Sequence, residues 1–342
     1  MLNGLSFSEK KSDSAQMTPN KAQPSHFKRT LNYFKGIHVR DGVLYVRQTG
    51  QQIPIDRKLF GSIIAVLRVY LYLFGVKLFR FLTFKRPLGT IAFVPHMPAF
   101  WYNIWFANQI AGLRSTADAT RADSVFVFED STINAFDPDT LPSQMVKINH
   151  RISDVTKTRV GVVFEQVFGY AISIDPLTYD GEGIRKSNQN GAHDGVKIRF
   201  PLREDQIVPE FVYQRLVDTT NTPGICEDLR IAYVFGEIPV VYHKFKDTAV
   251  RFGTEYLRVD LRTPEQVFSA TEIEQLVVFC DKMGLDFGAV DVMRDKTNGR
   301  IYVVDVNKTC MPVLSLTFRE QMNAQRRIAT AFLKGLEARL ES

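Results

Sequence analysis

The strongest constraint on the fold is a stretch in which acidic residues interrupt apolar runs, DFGAVDVMRDKTNGRIYVVDVNKT at residues 286–309. Residues 287–294 and 300–306 are rich in Val, Ile and Tyr, which favour strands. Residues 296–299, KTNG, have turn chemistry, so the stretch predicts a β-hairpin. Period-two alternation places these residues on one face of the second strand: Ile301, Val303, Asp305 and Asn307.

Two carboxylates then come close together. A loop of odd length puts Asp291 on the face of Asp305, directly opposite or one diagonal away, with Cβ atoms within roughly 5–8 Å. Like charges repel, and burial raises the cost of each. Mg²⁺ resolves this conflict, because Asp291, Asp305 and Asn307 offer the oxygen donors that hold Mg²⁺, or Mn²⁺, together with water and nucleotide phosphates. The alternative is a solvent-facing hairpin whose acidic side chains stay hydrated.

Upstream of the hairpin, charged candidates follow in a definite order. They are Lys157 in SDVTKTRVGVVFEQVFGY, Lys186 in GIRKSNQNGAHDGVKIRFP, the segment FVYQRLVD at residues 211–218, and Arg230 in EDLRIAYVFGE. With Asp291 and Asp305-Val306-Asn307 after them, this order resembles the ATP-grasp superfamily, the nucleotide-binding fold of D-alanine ligases, glutathione synthetase and the ribosomal-protein glutamate ligases. The resemblance covers about residues 145–310, and the flanks match only in outline.

The resemblance implies a role for each candidate. Lys157 and Lys186 correspond to the two phosphate-binding lysines. The hinge segment would line an adenine slot through Gln214 and Leu216, and Asp218 would accept hydrogen bonds from ribose. Arg230 would stabilise charge on a transferring phosphoryl group. Catalytic candidates are therefore Arg230 and Arg251, and the metal ligands are Asp291, Asp305 and Asn307.

The residues themselves allow plainer alternatives. The loop after Lys186 contains Asn190-Gly191 and Asp194-Gly195, which favour turns and can present backbone N–H groups to a polyphosphate. The same letters also suit an ordinary hairpin turn beside a solvated lysine. Lys157 is alternatively a surface residue at a helix start, residues 211–218 a buried strand, and Arg251 a surface arginine after the basic run HKFK.

Length, composition and cysteines bound the class of protein. A chain of 342 residues with 45% hydrophobic content can bury a sizeable core. Its three cysteines are far apart, which indicates a reducing, cytoplasmic compartment and no zinc site. The chain has no GxxxxGK[ST] spacing, which disfavours a P-loop, and its N-terminus lacks the apolar region of a secretion signal.

Positive charge is concentrated near the N-terminus. Residues 1–86 contain 15 Lys+Arg and 4 Asp+Glu, a net +11, whereas the remainder is net −5, which argues against nucleic acid as a partner. This region includes residues 59–84, the most hydrophobic part of the chain, interrupted by Arg68, Lys77 and Arg80. A central Arg costs about 2.5–3.5 kcal/mol on insertion scales, which disfavours a spanning helix. Two alternatives remain: a helix at the cytoplasmic membrane surface, and a helix packed on the catalytic domain or a partner subunit.

The predicted organisation has four units. Residues 1–26 form a disordered basic segment, 27–86 a hairpin plus the hydrophobic basic helix, 87–144 a small open-sheet α/β domain, and 145–342 an ATP-grasp domain with a C-terminal helix. Within the last unit, Thr271 and Glu274 predict a capping box for a helix that Gly284 closes. The fold class is α/β (α+β), with two lobes that clasp ATP between antiparallel sheets.

The function implied by the resemblance is that of an ATP- and Mg²⁺-dependent ligase. Such an enzyme activates a carboxylate as an acyl phosphate, and an amine, or less often a thiol, then displaces phosphate from it. The substrates would be a peptide, an amino acid or another small molecule, or a cell-envelope precursor if the hydrophobic helix meets a membrane. Two alternatives stay open: a non-catalytic ATP-binding or scaffold protein, and an ATP-grasp-type small-molecule kinase.

Overall fold

The structure is a computed structural model that describes residues 37–46, 51–83, 88–192, 194–251, 256–313 and 315–341. The predicted disordered segment 1–26 lies outside these ranges. Among the described residues, no helix combines the length and the apolar character needed to cross a bilayer. The boundaries of the four predicted units stay a prediction.

The described part of the chain begins with a small antiparallel sheet and a long helix. The sheet consists of β1 (Ile37–Arg40), β2 (Val43–Val46) and β3 (Gln51–Pro54), in the order β1-β2-β3. Asp41 and Gly42 connect β1 and β2 with φ values of 52° and 74°, the positive φ that a tight two-residue hairpin needs. The predicted hairpin therefore has a third strand, whose polar Gln residues gave no strand signal. Helix α1 (Arg57–Leu82) follows.

Helix α1 is apolar on two sides. Val69 and Leu73 are buried in a cluster with Phe106 and Met322, so the helix packs on the rest of the chain, as one of the two alternatives predicted. Large apolar side chains elsewhere on the helix are exposed: Phe60, Ile63, Ile64, Leu67, Leu71, Phe74, Leu78, Phe79, Phe81 and Leu82.

A parallel sheet follows the helix. It contains β4 (Thr90–Pro95), β5 (Arg114–Thr116), β6 (Ser124–Phe128) and β7 (Val146–Ile148), in the order β5-β4-β6-β7, with α2 (Asn103–Ala111) after β4. The sequence predicts a strand over residues 89–95, a helix over 101–113 and a strand over 124–129, and β4, α2 and β6 lie within these ranges. It misses β5 and β7, because a three-residue strand is too short to show a period.

Two antiparallel sheets form the remainder. The smaller has the order β10-β8-β9 and follows α3 (Lys157–Phe168); its strands are β8 (Gly181–Ser187), β9 (Val196–Phe200) and β10 (Phe211–Arg215). The larger has the order β14-β13-β12-β15-β16, and β11 pairs with β12. Its strands are β11 (Thr220–Thr222), β12 (Ile225–Val234), β13 (Glu237–Asp247), β14 (Arg258–Arg262), β15 (Phe287–Arg294) and β16 (Ile301–Asn307). Helix α4 (Ala270–Met283) precedes β15, and α5 (Phe318–Leu340) ends the described chain.

Both faces of the larger sheet contribute to a core. One cluster joins it to α3 and α4, with Phe164 and Phe279 fully buried. The other joins it to the parallel sheet and α5, with Phe126 and Phe332 fully buried. This double packing fixes the position of the sheet strands that form the candidate site.

The predicted hairpin is β15 and β16, and Asp291 lies directly opposite Asp305. A register shift between Asp291 and Val292 then pairs Val292 with Val303. This shift corrects the predicted alternation, because an extra residue in one strand reverses the faces beyond it. Ile301 and Val303 therefore belong to the core cluster instead of sharing the face of Asp305.

The predicted start of α4 was wrong by two residues. Ser269, rather than Thr271, is the N-cap and accepts a hydrogen bond from the Glu272 backbone N–H, while Glu272 accepts one from the Ser269 backbone N–H. Both pairs of residues fit the capping pattern, and the structure uses the earlier one. The predicted end is present, with Gly284 in the left-handed conformation.

Gly284→Ala should destabilise the protein by more than the matched change Gly169→Ala. Both glycines end a helix, with φ values of 75° and 76°, so an L-residue at either position costs roughly 1–2 kcal/mol. A Cβ on Gly284 would also lie 2.7 Å from the Arg151 backbone, whereas a Cβ on Gly169 has nothing within 4 Å. Urea unfolding of both variants measures the difference. Equal losses of unfolding free energy would show that the Arg151 backbone moves aside at no measurable cost.

Candidate functional site

A cleft of about 170 Å³ lies between the two antiparallel sheets. Of the ten predicted site residues, seven line it: Lys157, Lys186, Gln214, Arg230, Arg251, Asp291 and Asp305. Leu216, Asp218 and Asn307 are not part of the lining. The cleft thus brings together residues from α3, β8, β10, β12, β15 and β16 that are up to 148 positions apart in the sequence.

A straight row of four residues crosses the larger sheet. Tyr242 on β13 is the Cα partner of Arg230 on β12, Arg230 is the partner of Asp291 on β15, and Asp291 is the partner of Asp305 on β16. Directly opposed residues point to the same face of a sheet, and neighbouring strands are about 5 Å apart. The row therefore sets an arginine between an aromatic residue and two carboxylates.

Asp291 is neutralised by side chains of the protein. Arg230 donates from Nε at 2.9 Å and from Nη2 at 2.5 Å, and Lys244 Nζ donates at 3.0 Å. Burial alone would raise the pKa of Asp291, but Arg230 and Lys244 outweigh it and hold the pKa far below its usual range. The repulsion expected between Asp291 and Asp305 is thus already relieved by two cations, and it does not by itself require a metal.

Asp305 has the opposite character. Its Oδ1 is buried and has no hydrogen-bond partner among the described residues. Burial, and then the charge of Asp291, raise the pKa of Asp305, while Lys157 and Lys186 act in the other direction. A buried acceptor without a donor is costly, so its place in the cleft fits a ligand that supplies positive charge or a proton.

The cleft offers Mg²⁺ only part of the ligands that it needs. The described residues contain no cluster of three or more His, Cys, Asp and Glu side chains that could hold a metal ion. Four aspartates line the cleft, Asp194, Asp228, Asp291 and Asp305, and two of them, Asp291 and Asp305, are directly opposed on neighbouring strands. Such a pair suits Mg²⁺, which is usually held by one or two carboxylates while phosphate and water complete its shell.

The two predicted lysines, Lys157 and Lys186, line the cleft from α3 and β8, across from the strands that carry Asp291 and Asp305. Lys157 is the first residue of α3 and only 6% exposed, so it is not the surface residue of the alternative interpretation. Its Nζ donates to the Gln189 carbonyl, in the loop after β8. Lys186 Nζ donates to the Val304 carbonyl at 3.4 Å, and burial lowers its pKa to about 8.

The loop after Lys186 also borders the cleft, which Gly191, Asp194 and Gly195 help to line. Gly191 has a φ of 69°, as the Asn-Gly pair predicts. The Asp194 carboxylate accepts a hydrogen bond from the Ser187 backbone N–H at 3.1 Å, which ties the end of the loop back to β8. The loop is therefore positioned to cover a ligand in the cleft.

Of the predicted hinge residues, Gln214 is 2% exposed and lines the cleft, whereas Leu216 and Asp218 lie outside the lining. Asp218 serves a turn instead: its side chain accepts a hydrogen bond from the Thr220 backbone N–H at 3.0 Å, which lowers its pKa. Its own carbonyl accepts a hydrogen bond from the Lys296 backbone N–H at 2.8 Å. The roles of Leu216 and Asp218 toward adenine and ribose stay predictions.

Lys244 and Lys246, in the basic run HKFK, also line the cleft, and the predicted set of site residues did not include them. Lys244 and Lys246 follow Tyr242 at period two on β13, so all three share a face. Lys246 pairs with Asp228 at 2.8 Å, and its Nζ also donates to the Arg251 carbonyl at 3.3 Å. Arg251 donates to the Val217 carbonyl at 3.0 Å. The alternation in YHKFK was the signal that could have identified the two lysines.

Comparisons with known proteins give a likeness in structure only. No family model matches the sequence, and no curated protein matches it significantly. Among solved structures, the ATP-grasp ligase PsnB in complex with a phosphomimetic variant of its minimal precursor, Mg and ADP is 12% identical, with a TM-score of 0.47, over 73% of this chain and 98% of that one. Another PsnB structure is matched over 57% of its length.

Two other solved structures give the same picture. D-cycloserine synthetase DcsG is 14% identical, with a TM-score of 0.46, over 72% of this chain and 99% of that one. D-alanine–D-alanine ligase from Bacillus anthracis, in complex with ATP, is 10% identical, with a TM-score of 0.45, over 74% and 99%. The predicted fold class is confirmed. The sheets themselves show it: two antiparallel sheets enclose a cleft, and a small parallel sheet precedes them.

Proposed function

We propose that this ATP-grasp-like protein is an ATP- and Mg²⁺-dependent ligase that joins a carboxylate to an amine. The observation that carries the proposal is the unpaired, buried Oδ1 of Asp305, in a cleft that also holds Lys157 and Lys186. An acceptor without a partner beside two lysines suits a ligand that carries both a cation and an anion. A metal-bound polyphosphate is such a ligand.

Each charged group has a role in this proposal. Lys157 and Lys186 bind phosphate oxygens as point charges. Asp305 and Asp291, with Asn307 as a third candidate, would hold Mg²⁺, which supplies neutralisation of phosphate charge when bound. Arg230 stays fixed by Asp291 and presents a positive charge to the transferring phosphoryl group, and Arg251 lies near the same cleft.

The reaction needs no nucleophile from the protein. The substrate carboxylate attacks the γ-phosphorus and releases ADP, which gives an acyl phosphate. The amine then attacks the acyl carbon, the C–O bond to phosphate breaks, and the amine proton leaves with the departing phosphate or water. Positioning and electrostatic stabilisation account for most of the rate acceleration in such a reaction. In this proposal the rigid Arg230–Asp291–Lys244 cluster is therefore the protein's main contribution to the rate.

The test is ADP release from Mg·ATP in the presence of pools of carboxylates and amines. We expect stimulation by a matched pair of pools, with inorganic phosphate and a new amide as products. Asp305→Ala should abolish Mg-dependent ATP binding or turnover, because it removes the unpaired acceptor. Asp180→Ala is the matched control, since that carboxylate pairs with Arg199 at the surface, outside the cleft lining, and it should retain both.

The alternatives predict other products. Phosphorylation of an alcohol with no free phosphate would indicate a kinase, and ATP binding without turnover under any pool would indicate a non-catalytic nucleotide-binding protein. Unchanged ATP affinity and turnover in Asp305→Ala would refute the assignment of Asp305.

A further inference from the structure

A second cavity, of about 460 Å³, lies between α1, α2, α5 and the chain that follows β16. This volume is in the range of roughly 300–1,000 Å³ that small-molecule pockets occupy. Its lining is mostly apolar and includes Val69, Phe106, Tyr242, Val313, Leu316 and Met322. The cavity contains no charged side chain among its lining residues, so its occupant must be apolar over most of its surface.

A buried polar atom of the lining has no hydrogen-bond partner within the described part of the chain. Gln325, on α5, is 4% exposed, and its Nε2 donates to Asn103 Oδ1 at 2.8 Å. The other end of the amide, Oε1, is buried without a hydrogen-bond partner among the described residues. An unpaired buried acceptor costs roughly 1–3 kcal/mol, which a ligand with a single donor group would relieve.

The apolar cavity and the charged cleft meet at Tyr242. This residue lines the cavity, while its Cα partner Arg230 lines the cleft one strand away, at about 5 Å. Lys244, two residues further along β13 on the same face, also lines the cleft. On the other side, the cavity wall at Met311 comes four residues after Asn307. Tyr242 therefore lies at the boundary between the cavity and the cleft, one strand away from Arg230.

We propose that the cavity binds the apolar chain of an amphiphilic substrate whose polar, reacting end lies beside Arg230 and Lys244. A donor near the start of the chain, such as an amide N–H or a hydroxyl, bonds to Gln325 Oε1. A peptide segment fits less well, because its repeated backbone N–H and C=O groups need more partners than an apolar lining offers. The position of the reacting end rests on the proposed ligase function, whereas the binding of an apolar chain does not.

The test uses full-length protein without nucleotide, and N-decanoylglycine as the probe. This molecule has one carboxylate, one amide N–H and an apolar chain, and N-acetylglycine is the control with the same polar end. Each buried methylene contributes about 0.8 kcal/mol, so calorimetry should give binding at least about 100-fold tighter for the long-chain probe. Equal affinity for the two molecules overturns the proposal.

Variants locate the binding. Ala324→Phe fills the cavity from α5, and Val313→Trp fills it from the segment after β16, which gives a second test if either variant fails to fold. Both should remove probe binding, and Gln325→Met, which keeps the volume but removes the acceptor, should weaken it about 10-fold. Folded filling variants that bind the probe as the wild type does would overturn the proposal.

One comparison separates this inference from the proposed function. It sets the binding of the probe beside the binding of Mg·ATP, each measured on the wild-type protein. If the probe binds in the cavity while ATP does not bind to the wild type, the proposed function fails and the inference on the apolar chain holds. If ATP binds and turns over while no probe enters the cavity, the inference fails and the proposed function holds.

Discussion

An Asp291→Ala variant should lose about 3–5 kcal/mol of unfolding free energy, because two cations in the interior lose the anion that they share. Arg230 and Lys244 keep side-chain exposures of only 20% and 4%, so water replaces the carboxylate only in part. Both cations donate to Asp291 over distances of 2.5–3.0 Å. The measurement is urea unfolding at neutral pH, followed by circular dichroism.

The matched control is Asp180→Ala. Asp180 forms an ion pair with Arg199 at 2.8 Å, but the two side chains are 81% and 70% exposed. An exposed pair of this kind contributes at most about 1 kcal/mol. A loss of unfolding free energy as small as that of Asp180→Ala would show that Arg230 and Lys244 do not depend on Asp291 for their stabilisation.

A rescue experiment distinguishes lost charge pairing from lost packing. Asp291→Leu alone should be destabilised like Asp291→Ala, since Arg230 stays charged without its partner. Adding Arg230→Met should recover part of the loss, because apolar residues of similar volume can replace a buried ion pair. No recovery would indicate that Arg230 keeps another compensating contact.

A Lys186→Met variant should bind Mg·ATP about 10- to 100-fold more weakly than the wild type, a prediction that rests on the proposed function. A hydrogen bond to a charged group contributes roughly 1.5–3 kcal/mol, and burial leaves the Lys186 ammonium few other partners. Lys197→Met is the control, because Lys197 lies on the neighbouring strand β9 and pairs with Glu182 at the surface. Calorimetry on both variants gives the comparison, and equal affinities would remove Lys186 from the site.

The affinity for Mg·ATP should fall as the pH rises above about 8. Burial, together with the positive charge of Lys157, lowers the pKa of Lys186 to that value. The negative charges of Asp305, Asp291 and Asp194 act in the opposite direction. Below pH 8 the free protein already carries the charge, so this group adds no pH dependence. Above pH 8 binding must first protonate the amine. Lys186→Arg keeps its charge and should show no such fall, and an identical fall in that variant would contradict the assignment.

Local patterns in the sequence account for much of the fold. Val, Ile and Tyr at period two and the KTNG turn identify β15 and β16, and the hairpin predicts Asp291 directly opposite Asp305 or one diagonal away. The register shift between Asp291 and Val292 selects the directly opposed pair. The Asn-Gly pair after Lys186 predicts the positive φ at Gly191. Patterns of this kind fail where two possible helix starts fit equally well, as at Ser269 and Thr271. They also fail where one extra residue in a strand shifts its pairing register, as beside Val292.

The sequence by itself determined which segments become strands, which loop can face an anion and which carboxylates come together, because these properties depend on residues close along the chain. The tertiary structure alone decided that Arg230 and Lys244, 61 and 47 positions from Asp291, neutralise it. It also decided that Tyr242 separates a charged cleft from an apolar cavity. The physical reason is that the pairing of distant strands and the packing of α1 and α5 depend on the whole core, and no local pattern encodes them.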